Sequence, residues 1–155
     1  MAKVILESLN KVFTSKIGND VKAVNNFNLI LEDGEILALL GSSGCGKTTT
    51  LRMIAGFETA SSGLIKIGER IINDLKPAER NVAMAFEGYA LYPPLTVRDN
   101  IAFSLMREKI SKEKVDSKVM EVAELLEITD ILERYPPSIS GGQQQRVSLA
   151  RALVR

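Results

Sequence analysis

Residues 41–48 read Gly41-Ser-Ser-Gly-Cys-Gly-Lys-Thr48 and contain three glycines within six residues. It matches the pattern G-x-x-x-x-G-K-[ST], in which glycines let the backbone curl until several N–H groups face one anion. The helix predicted to follow directs the positive end of its dipole at the same point. Because glycine makes up about 7% of ordinary proteins, a chance match in a chain of this size is on the order of one per cent. The stretch therefore predicts a site for the phosphates of a nucleotide.

The two side chains at the end of the stretch suit a nucleotide that carries Mg²⁺. Lys47 is expected to place its charge at the β- and γ-phosphates, and the Thr48 hydroxyl is placed to bind the metal. Cys45 is interpreted as a tolerated small side chain rather than a catalytic thiol. The competing interpretation of the whole stretch is a glycine-rich turn with a solvated lysine. The residues predicted to contact the nucleotide are Gly41, Ser42, Ser43, Gly44, Cys45, Gly46, Lys47, Thr48 and Thr49.

The sequence on both sides of the loop has the patterns of β-strands. Ile36–Leu40 is a continuous apolar run ending at a glycine, as expected of a strand buried on both faces, and Val82–Phe86 is a similar run. Apolar residues over Val24–Leu31 alternate like a half-buried strand with an irregularity near Asn25–Asn26. Further predicted elements are a strand at Val4–Leu6, a hairpin turn at Asp33-Gly34, a helix at Thr48–Ala55, and a hairpin of Leu64–Ile67 and Ile71–Ile72 around Gly68-Glu69.

Beyond Pro93-Pro94 the apolar spacing becomes helical. Thr96 and Ser111 can each cap a helix, and a last helix is predicted over roughly residues 143–154. The apolar residues on the first two helices are Val97, Ile101 and Leu105, and then Val115, Val119, Val122 and Leu126. The chain is thus predicted as an α/β protein with a strand-rich part over residues 1–90, a helical part over 91–140, and the last helix within 140–155.

Composition narrows the class of protein. The chain has 155 residues, 45% of them apolar and 25% charged, and a net charge of +1, which gives no global field for nucleic acid. The absence of histidine excludes a Ser-His-Asp triad and a Cys/His metal cluster, and one cysteine excludes an internal disulfide. The longest clean apolar run, Ile36–Leu40, is far short of the roughly 20 residues that cross a bilayer. We therefore expect a protein of the reducing cytosol that reaches a membrane only by docking on a partner.

A second glycine-rich motif opens the last predicted helix. It reads Ser140-Gly141-Gly142-Gln143 and lies about 95 residues after the first loop. A serine hydroxyl, backbone N–H groups and a helix N-terminus together make a second anion site. Taken alone, the motif is also typical of an ordinary capped helix preceded by a glycine loop. It indicates an anion site because it follows the first glycine-rich loop in the sequence.

Together the two motifs resemble those of ATP-binding-cassette (ABC) transporter ATPases, in which L-S-G-G-Q is the signature sequence and Ile139 here replaces the leucine. Three further stretches are similar to those of the ATPase subunits of sugar, glycerol-phosphate and polyamine importers: Leu51-Arg-Met-Ile-Ala-Gly-Phe57, Pro77-Ala-Glu-Arg80 and Tyr89-Ala-Leu-Tyr-Pro93. The resemblance covers nearly all of the chain. It implies a phosphate-loop NTPase core with an antiparallel β subdomain and an α-helical subdomain.

The resemblance also implies partners and ligands. Members of the family bind ATP and Mg²⁺ between two head-to-tail subunits, so Ser140, Gly141, Gly142 and Gln143 would contact the γ-phosphate held by a homodimeric or paired ATPase subunit. Phe13 matches the family's aromatic that stacks on adenine, with simple core packing as the alternative. Transmembrane permease subunits would dock on Tyr89–Leu95 and on the helical region Thr96–Pro136, at the cytoplasmic face of the membrane. The transported solute is not specified by the sequence.

The chain departs from the family pattern at two places. Glu87 replaces a glutamine that touches Mg²⁺ and the attacking water, and it is a candidate metal ligand because a carboxylate also binds Mg²⁺. The family's Asp-Glu pair after four apolar residues, which supports hydrolysis, does not occur, and neither does its switch histidine. We therefore expect the N-terminal part of a longer domain, incomplete at its C-terminus, with no catalytic residue of its own. Without neighbouring strands, Ile36–Leu40 and Val82–Phe86 would leave backbone groups unpaired, so the isolated chain is expected to be partly molten or aggregation-prone.

Two other functions remain compatible with the motifs. A nucleotide-binding or regulatory module without catalysis, or a gene remnant, would keep the loop and lack turnover. A phosphate-loop kinase or GTPase would share the first motif, but it would not need Ser140–Gln143.

Overall fold

The computed structural model describes residues 2–15, 18–86, 88–106 and 110–155. They form two compact units, Met1–Val82 and Ala83–Arg155. Within the described ranges, no helix has the length and apolarity that a membrane crossing requires.

The described residues of the first unit form an antiparallel sheet and a helix. The elements are β1 (Val4–Phe13), β2 (Val21–Leu31), α1 (Lys47–Ala55), β3 (Ser62–Ile67) and β4 (Arg70–Ile71), with a short 3-10 turn at Pro77–Glu79. The strand order in the sheet is β2-β1-β3-β4. The core contains Leu6, Leu9, Val24, Met53, Ile65 and Ile72. The predictions of a first strand, of α1 and of the β3–β4 hairpin are confirmed, and β1 is longer than predicted.

The pairing of β1 with β2 is interrupted in register, which confirms the irregularity predicted near Asn25–Asn26. Ser8 and Asn26 both adopt a positive φ of 46°. Their backbone N–H groups donate to side chains instead of to the ladder, Ser8 to Asn28 Oδ1 at 2.7 Å and Asn26 to Asn10 Oδ1 at 2.8 Å. Asparagine amides thus satisfy the groups that the bulges leave unpaired.

Two predicted strands are absent, and these predictions are wrong. Ile36–Leu40 and Val82–Phe86 have no strand structure, and Ile36 and Leu40 are 99% and 91% exposed. A buried strand needs a hydrogen-bonding neighbour on each side, and among the described residues no strand pairs with either segment. The Asp33-Gly34 turn does form, with Gly34 at a φ of 81°, but it leads into this unpaired segment rather than into a hairpin.

In the second unit, the described residues form the α-helices α2 (Val97–Ala102), α3 (Lys112–Leu125) and α4 (Gly141–Leu153). The predicted caps are confirmed, because the Thr96 hydroxyl accepts from the Asp99 N–H at 3.1 Å and the Ser111 hydroxyl from the Lys114 N–H at 3.4 Å. The predicted apolar stripes face the core, although Leu105 lies in a 3-10 turn that follows α2. Local patterns were sufficient here because each helix buries one continuous face.

A buried asparagine shapes the loop before α2. Asn100 is fully buried, and its Oδ1 accepts from the Tyr92 N–H at 2.8 Å. Its Nδ2 donates to the carbonyls of Tyr92, Leu95 and Thr96 at 2.9–3.0 Å. One buried side chain therefore pairs with four backbone groups between Tyr92 and Thr96.

Candidate nucleotide-binding site

The loop before α1 needs glycine for two separate reasons. Gly44 and Gly46 adopt φ values of 83° and 94°, in the left-handed region where a side chain costs energy. At Gly44 a Cβ would meet no atom within 4 Å, so only the backbone conformation favours glycine there. At Gly46 a Cβ would also collide with the carbonyl of Ala23 and lie 3.3 Å from Val24 Cγ2. The loop therefore lies directly against β2 because residue 46 has no side chain.

The start of α1 is free to receive an anion. Gly46 is the N-cap residue and has no side-chain oxygen to accept from the first N–H groups, while its own carbonyl accepts from the Thr50 N–H at 2.8 Å. The first turn contains no acidic residue. The positive end of the helix dipole is thus not offset by a capping oxygen or a carboxylate of that turn.

Lys47 adds a full positive charge at the centre of the loop. Its side chain curls back so that Nζ donates to the carbonyls of Gly41 and Ser42, both at 2.8 Å, and lies 3.5 Å from Cys45 Sγ. Two of these contacts are to neutral carbonyl oxygens, which bind an ammonium less strongly than phosphate oxygens do. The lysine is therefore already positioned over the loop, and a phosphate offers it stronger acceptors.

A cavity of about 320 Å³ lies between this loop and β2, which is within the usual size of a small-molecule site. Among the residues that the structure describes, its lining includes the positive side chains of Lys22 and Lys47 and no carboxylate. The lining residues are Lys22, Ala23, Val24, Asn25, Phe27, Leu39, Leu40, Cys45, Gly46, Lys47 and Thr50. The cavity thus combines an apolar wall with positive charge beside the helix start.

The remaining residues predicted for this site fall around the helix start. Ser42, Ser43 and Thr48 are exposed and Thr49 is half-buried. Thr48, a candidate metal ligand, lies in the first turn of α1. Glu87, the other candidate metal ligand, lies outside the described residues. In the parts of the chain that the structure describes, no group of three or more acidic or cysteine side chains could hold a metal ion by itself.

Phe13 lies at the end of β1, opposite Val21 of β2. It is 41% exposed, so it is packed only in part, and the ammonium of Lys11 lies 4.8 Å from its ring centroid. Phe13 is not among the residues that line the cavity described above. Val21, which pairs with Phe13 across the sheet, is followed directly by Lys22, and Lys22 does line the cavity.

The second predicted anion site is the start of α4. The Ser140 hydroxyl accepts from the Gln143 N–H at 3.3 Å, and Gln143 Oε1 accepts from the Ser140 N–H at 2.9 Å. This reciprocal capping box holds both side chains at the helix end. The backbone of residues 141 and 142 lies between them and is exposed.

The fold itself does not require glycine at the start of α4. A Cβ on Gly141 would make only an ordinary contact of 3.6 Å with the Tyr89 hydroxyl, and on Gly142 it would meet no atom within 4 Å. Neither residue has a positive φ. Within a helix glycine is less favourable than alanine by up to about 1 kcal/mol. Gly141 and Gly142 therefore leave the backbone at the start of α4 uncovered by side chains of their own.

Arg80 is a structural residue that the sequence did not single out beyond its place in the Pro77–Arg80 stretch. It is 5% exposed, and its guanidinium donates to four carbonyls at 2.6–3.1 Å: those of Met53, Ile54, Asn73 and Leu75. Burial lowers the pKa of Arg80 from its ordinary value. The residue ties the end of α1 to the segment after β4 and so supports the helix that begins at the loop. No sequence pattern marks a buried arginine, because most arginines are exposed.

The sequence also does not predict the structural role of Arg151. It lies on α4, donates to the Ala90 carbonyl, and its guanidinium carbon is 4.7 Å from the Tyr92 ring centroid. Tyr89 and Ala90 both have a positive φ, of 57° and 48°, which costs energy for residues other than glycine. The arginine therefore holds a strained segment against α4.

The glycine loop against a strand, the lysine over it and the open helix start define a phosphate-loop protein. The ABC transporter family model matches residues 24–155, and the chain belongs to that family. This agrees with the resemblance found in the sequence and argues against a phosphate-loop kinase or GTPase.

Curated relatives support the same assignment. The chain is 46% identical over 155 residues to the sn-glycerol-3-phosphate import ATP-binding protein UgpC of Brucella abortus, covering all of this chain and 43% of that protein. It is 50% identical over 161 aligned residues to the trehalose/maltose import ATP-binding protein MalK of Thermococcus litoralis, covering 42% of it. The chain thus spans less than half the length of these relatives.

A solved structure confirms the predicted fold class. The chain is similar to a dimeric ATP-binding cassette in a post-hydrolysis state bound to ADP and Pi, with a TM-score of 0.86 and 30% identity. The match covers 97% of this chain and 69% of that one. The α/β fold of an ABC ATPase cassette, with an antiparallel sheet and a set of helices, is therefore the fold of this chain.

Proposed function

We propose that the chain is the ATP-binding part of an ABC importer and that residues 41–49 hold the triphosphate. The observation that carries the proposal is the geometry of Gly46 and Lys47. The N-cap glycine leaves the start of α1 open, and the lysine ammonium already lies over the loop. A triphosphate would receive N–H donors, the helix dipole and a full charge at one place.

The residues present fit a nucleotide that carries Mg²⁺. The Thr48 hydroxyl is exposed beside the loop, and Mg²⁺ in such sites takes one or two protein oxygens and completes its shell with phosphate oxygens and water. Bound Mg²⁺ would supply charge neutralisation between the β- and γ-phosphates.

The start of α4 is proposed to bind the γ-phosphate of ATP held by a second subunit. Its support is the pair of glycines that the fold does not require, flanked by a hydroxyl and an amide fixed in a capping box. A phosphate could approach the backbone N–H groups there without meeting a side chain. The dimeric form of the solved cassette is consistent with this arrangement.

The whole protein is proposed to hydrolyse ATP and to energise import of a carbohydrate-like solute such as a sugar or a polyol phosphate. The names of the relatives support this class of solute. Transmembrane permease subunits would dock on residues 89–136, at the cytoplasmic face of the membrane. A net charge of +1 gives no reason to expect nucleic acid as a partner.

Calorimetric titration of Mg-ATP into the chain and two variants tests the proposal. Lys47→Gln removes the charge over the loop and should weaken binding at least tenfold, because charge-assisted hydrogen bonds contribute about 1.5–3 kcal/mol. Lys3→Gln is the matched control, since Lys3 is a surface lysine of the same unit that pairs with Glu32 at 2.7 Å. Equal ATP affinity in the Lys47 variant and the control would refute the proposed site.

A further inference from the structure

A lysine lies against the aromatic ring predicted to contact the base. Lys11 and Phe13 are two residues apart on β1, so their side chains project from the same face of the sheet. The Lys11 Nζ is 4.8 Å from the centroid of the Phe13 ring, within the range of a cation–π interaction. The ammonium therefore covers part of the ring.

Lys11 is held in this place from a second element. Its Nζ lies 2.7 Å from Glu58 Oε1 and donates to the Thr59 carbonyl at 2.8 Å. The Lys11 side chain is only 12% exposed and that of Glu58 is 25% exposed. The hydrogen bond from Lys11 lowers the pKa of Glu58, so the carboxylate is charged at neutral pH. The lysine is thus a fixed, partly desolvated cation rather than a mobile surface charge.

Glu58 and Thr59, which hold Lys11, are connected to the phosphate loop through α1. This helix begins at Lys47, beside the loop, and ends at Ala55, with Glu58 and Thr59 in the segment that follows. The Phe57 and Glu58 N–H groups donate to the Arg52 carbonyl at 2.9 and 3.2 Å, which closes the helix end and fixes that segment. One rigid element therefore bears on both the loop and the position of Lys11.

Phe13 retains surface for a ligand. It is 41% exposed although Lys11 lies against it. Its partner across the sheet is Val21, and the next residue, Lys22, lines the cavity beside the loop. Phe13 itself is not among the residues that line the cavity, so its exposed surface would meet the base where a nucleotide bound at the loop extends beyond the cavity.

We propose that Lys11, anchored by Glu58, is a positioning residue for the nucleotide base: its ammonium fixes the Phe13 ring from one side while the base stacks on the remaining surface. This inference rests on the proposed ATP site. The cation is attracted to the ring quadrupole and withdraws electron density from it, which favours stacking of an electron-rich purine. A ring held in one rotamer also loses less entropy when the base binds.

Calorimetry with two ligands separates this role from a general structural one. Mg-ATP reports on the phosphates and the base, whereas Mg-tripolyphosphate reports on the phosphates alone. Lys11→Met should weaken Mg-ATP binding roughly two- to fivefold and leave Mg-tripolyphosphate binding unchanged. Lys11→Arg keeps a cation over the ring and should retain the affinity for Mg-ATP. Glu58→Gln should produce a smaller loss, for Mg-ATP only.

A double-mutant cycle completes the test. In a Phe13→Leu background, Lys11→Met should cause no further loss of Mg-ATP affinity, because the ring through which it acts is gone. An equal loss for both ligands in Lys11→Met, or the same loss with and without Phe13, would overturn the inference and leave the ATP site intact. If the unmodified chain bound neither ligand, the proposed function would fail, and the inference with it.

Discussion

The two loop glycines, Gly44 and Gly46, allow a matched test of how the loop is built. Alanine at either position must adopt a left-handed φ, at a cost of about 1–2 kcal/mol. At Gly44 the added methyl group meets no atom within 4 Å, so that cost is the whole effect. At Gly46 it collides with the carbonyl of Ala23, a residue of β2. Overpacking of this kind adds about 1–3 kcal/mol.

Urea denaturation should therefore show Gly46→Ala destabilised by about 2–5 kcal/mol and Gly44→Ala by about 1–2 kcal/mol. Calorimetry should show the larger loss of Mg-ATP affinity in Gly46→Ala, because relief of the clash moves the loop away from β2 and opens the cavity. If the two variants had the same free energy of unfolding, the close packing of the loop on β2 would be refuted.

Three further outcomes are expected. In a chemical melt, Gly142→Ala should leave the free energy of unfolding unchanged or raise it by up to about 0.5 kcal/mol. Light scattering should show that the same variant forms fewer ATP-dependent dimers. A destabilised variant, or undiminished dimer formation, would contradict the proposed role of the α4 start. Because the pKa of Glu58 is lowered in the folded chain, the stability that its pair with Lys11 contributes is present above the ordinary carboxyl pKa and is lost as pH falls through the lowered one. The chain and Glu58→Gln should therefore differ in free energy of unfolding at pH 7, by under about 1 kcal/mol, and converge at low pH; a constant difference would exclude this linkage. Alkylation of the exposed Cys45, whose Sγ lies 3.5 Å from the Lys47 ammonium, should block nucleotide binding and be slowed by bound ATP, and unaltered affinity after complete alkylation would count against this.

The parts of the fold that the sequence predicted depend on local interactions. The caps at Thr96, Ser111 and Ser140 were recognisable because a hydroxyl and the N–H three residues later are neighbours in the chain. The glycine-rich loop was predictable for the same reason, since its backbone conformation is set within eight residues. Helices with one apolar face followed directly from spacing.

The parts that the sequence did not predict depend on distant partners. Ile36–Leu40 has the composition of a buried strand, but burial requires neighbouring strands, and the exposed segment has none among the described residues. Arg80 is buried because carbonyls from two separate segments converge on it. The contact of Lys11 with Glu58 joins residues that are far apart in sequence. None of these pairings leaves a signal in a single chain.

Backbone amide NMR of the ¹⁵N-labelled chain during titration with Mg-ATP identifies which N–H groups meet the phosphates. We expect the largest shifts at residues 41–49, with smaller ones at Lys11 and Phe13. Saturable binding of Mg-ATP with these amides unmoved and the largest shifts elsewhere in the chain would contradict it.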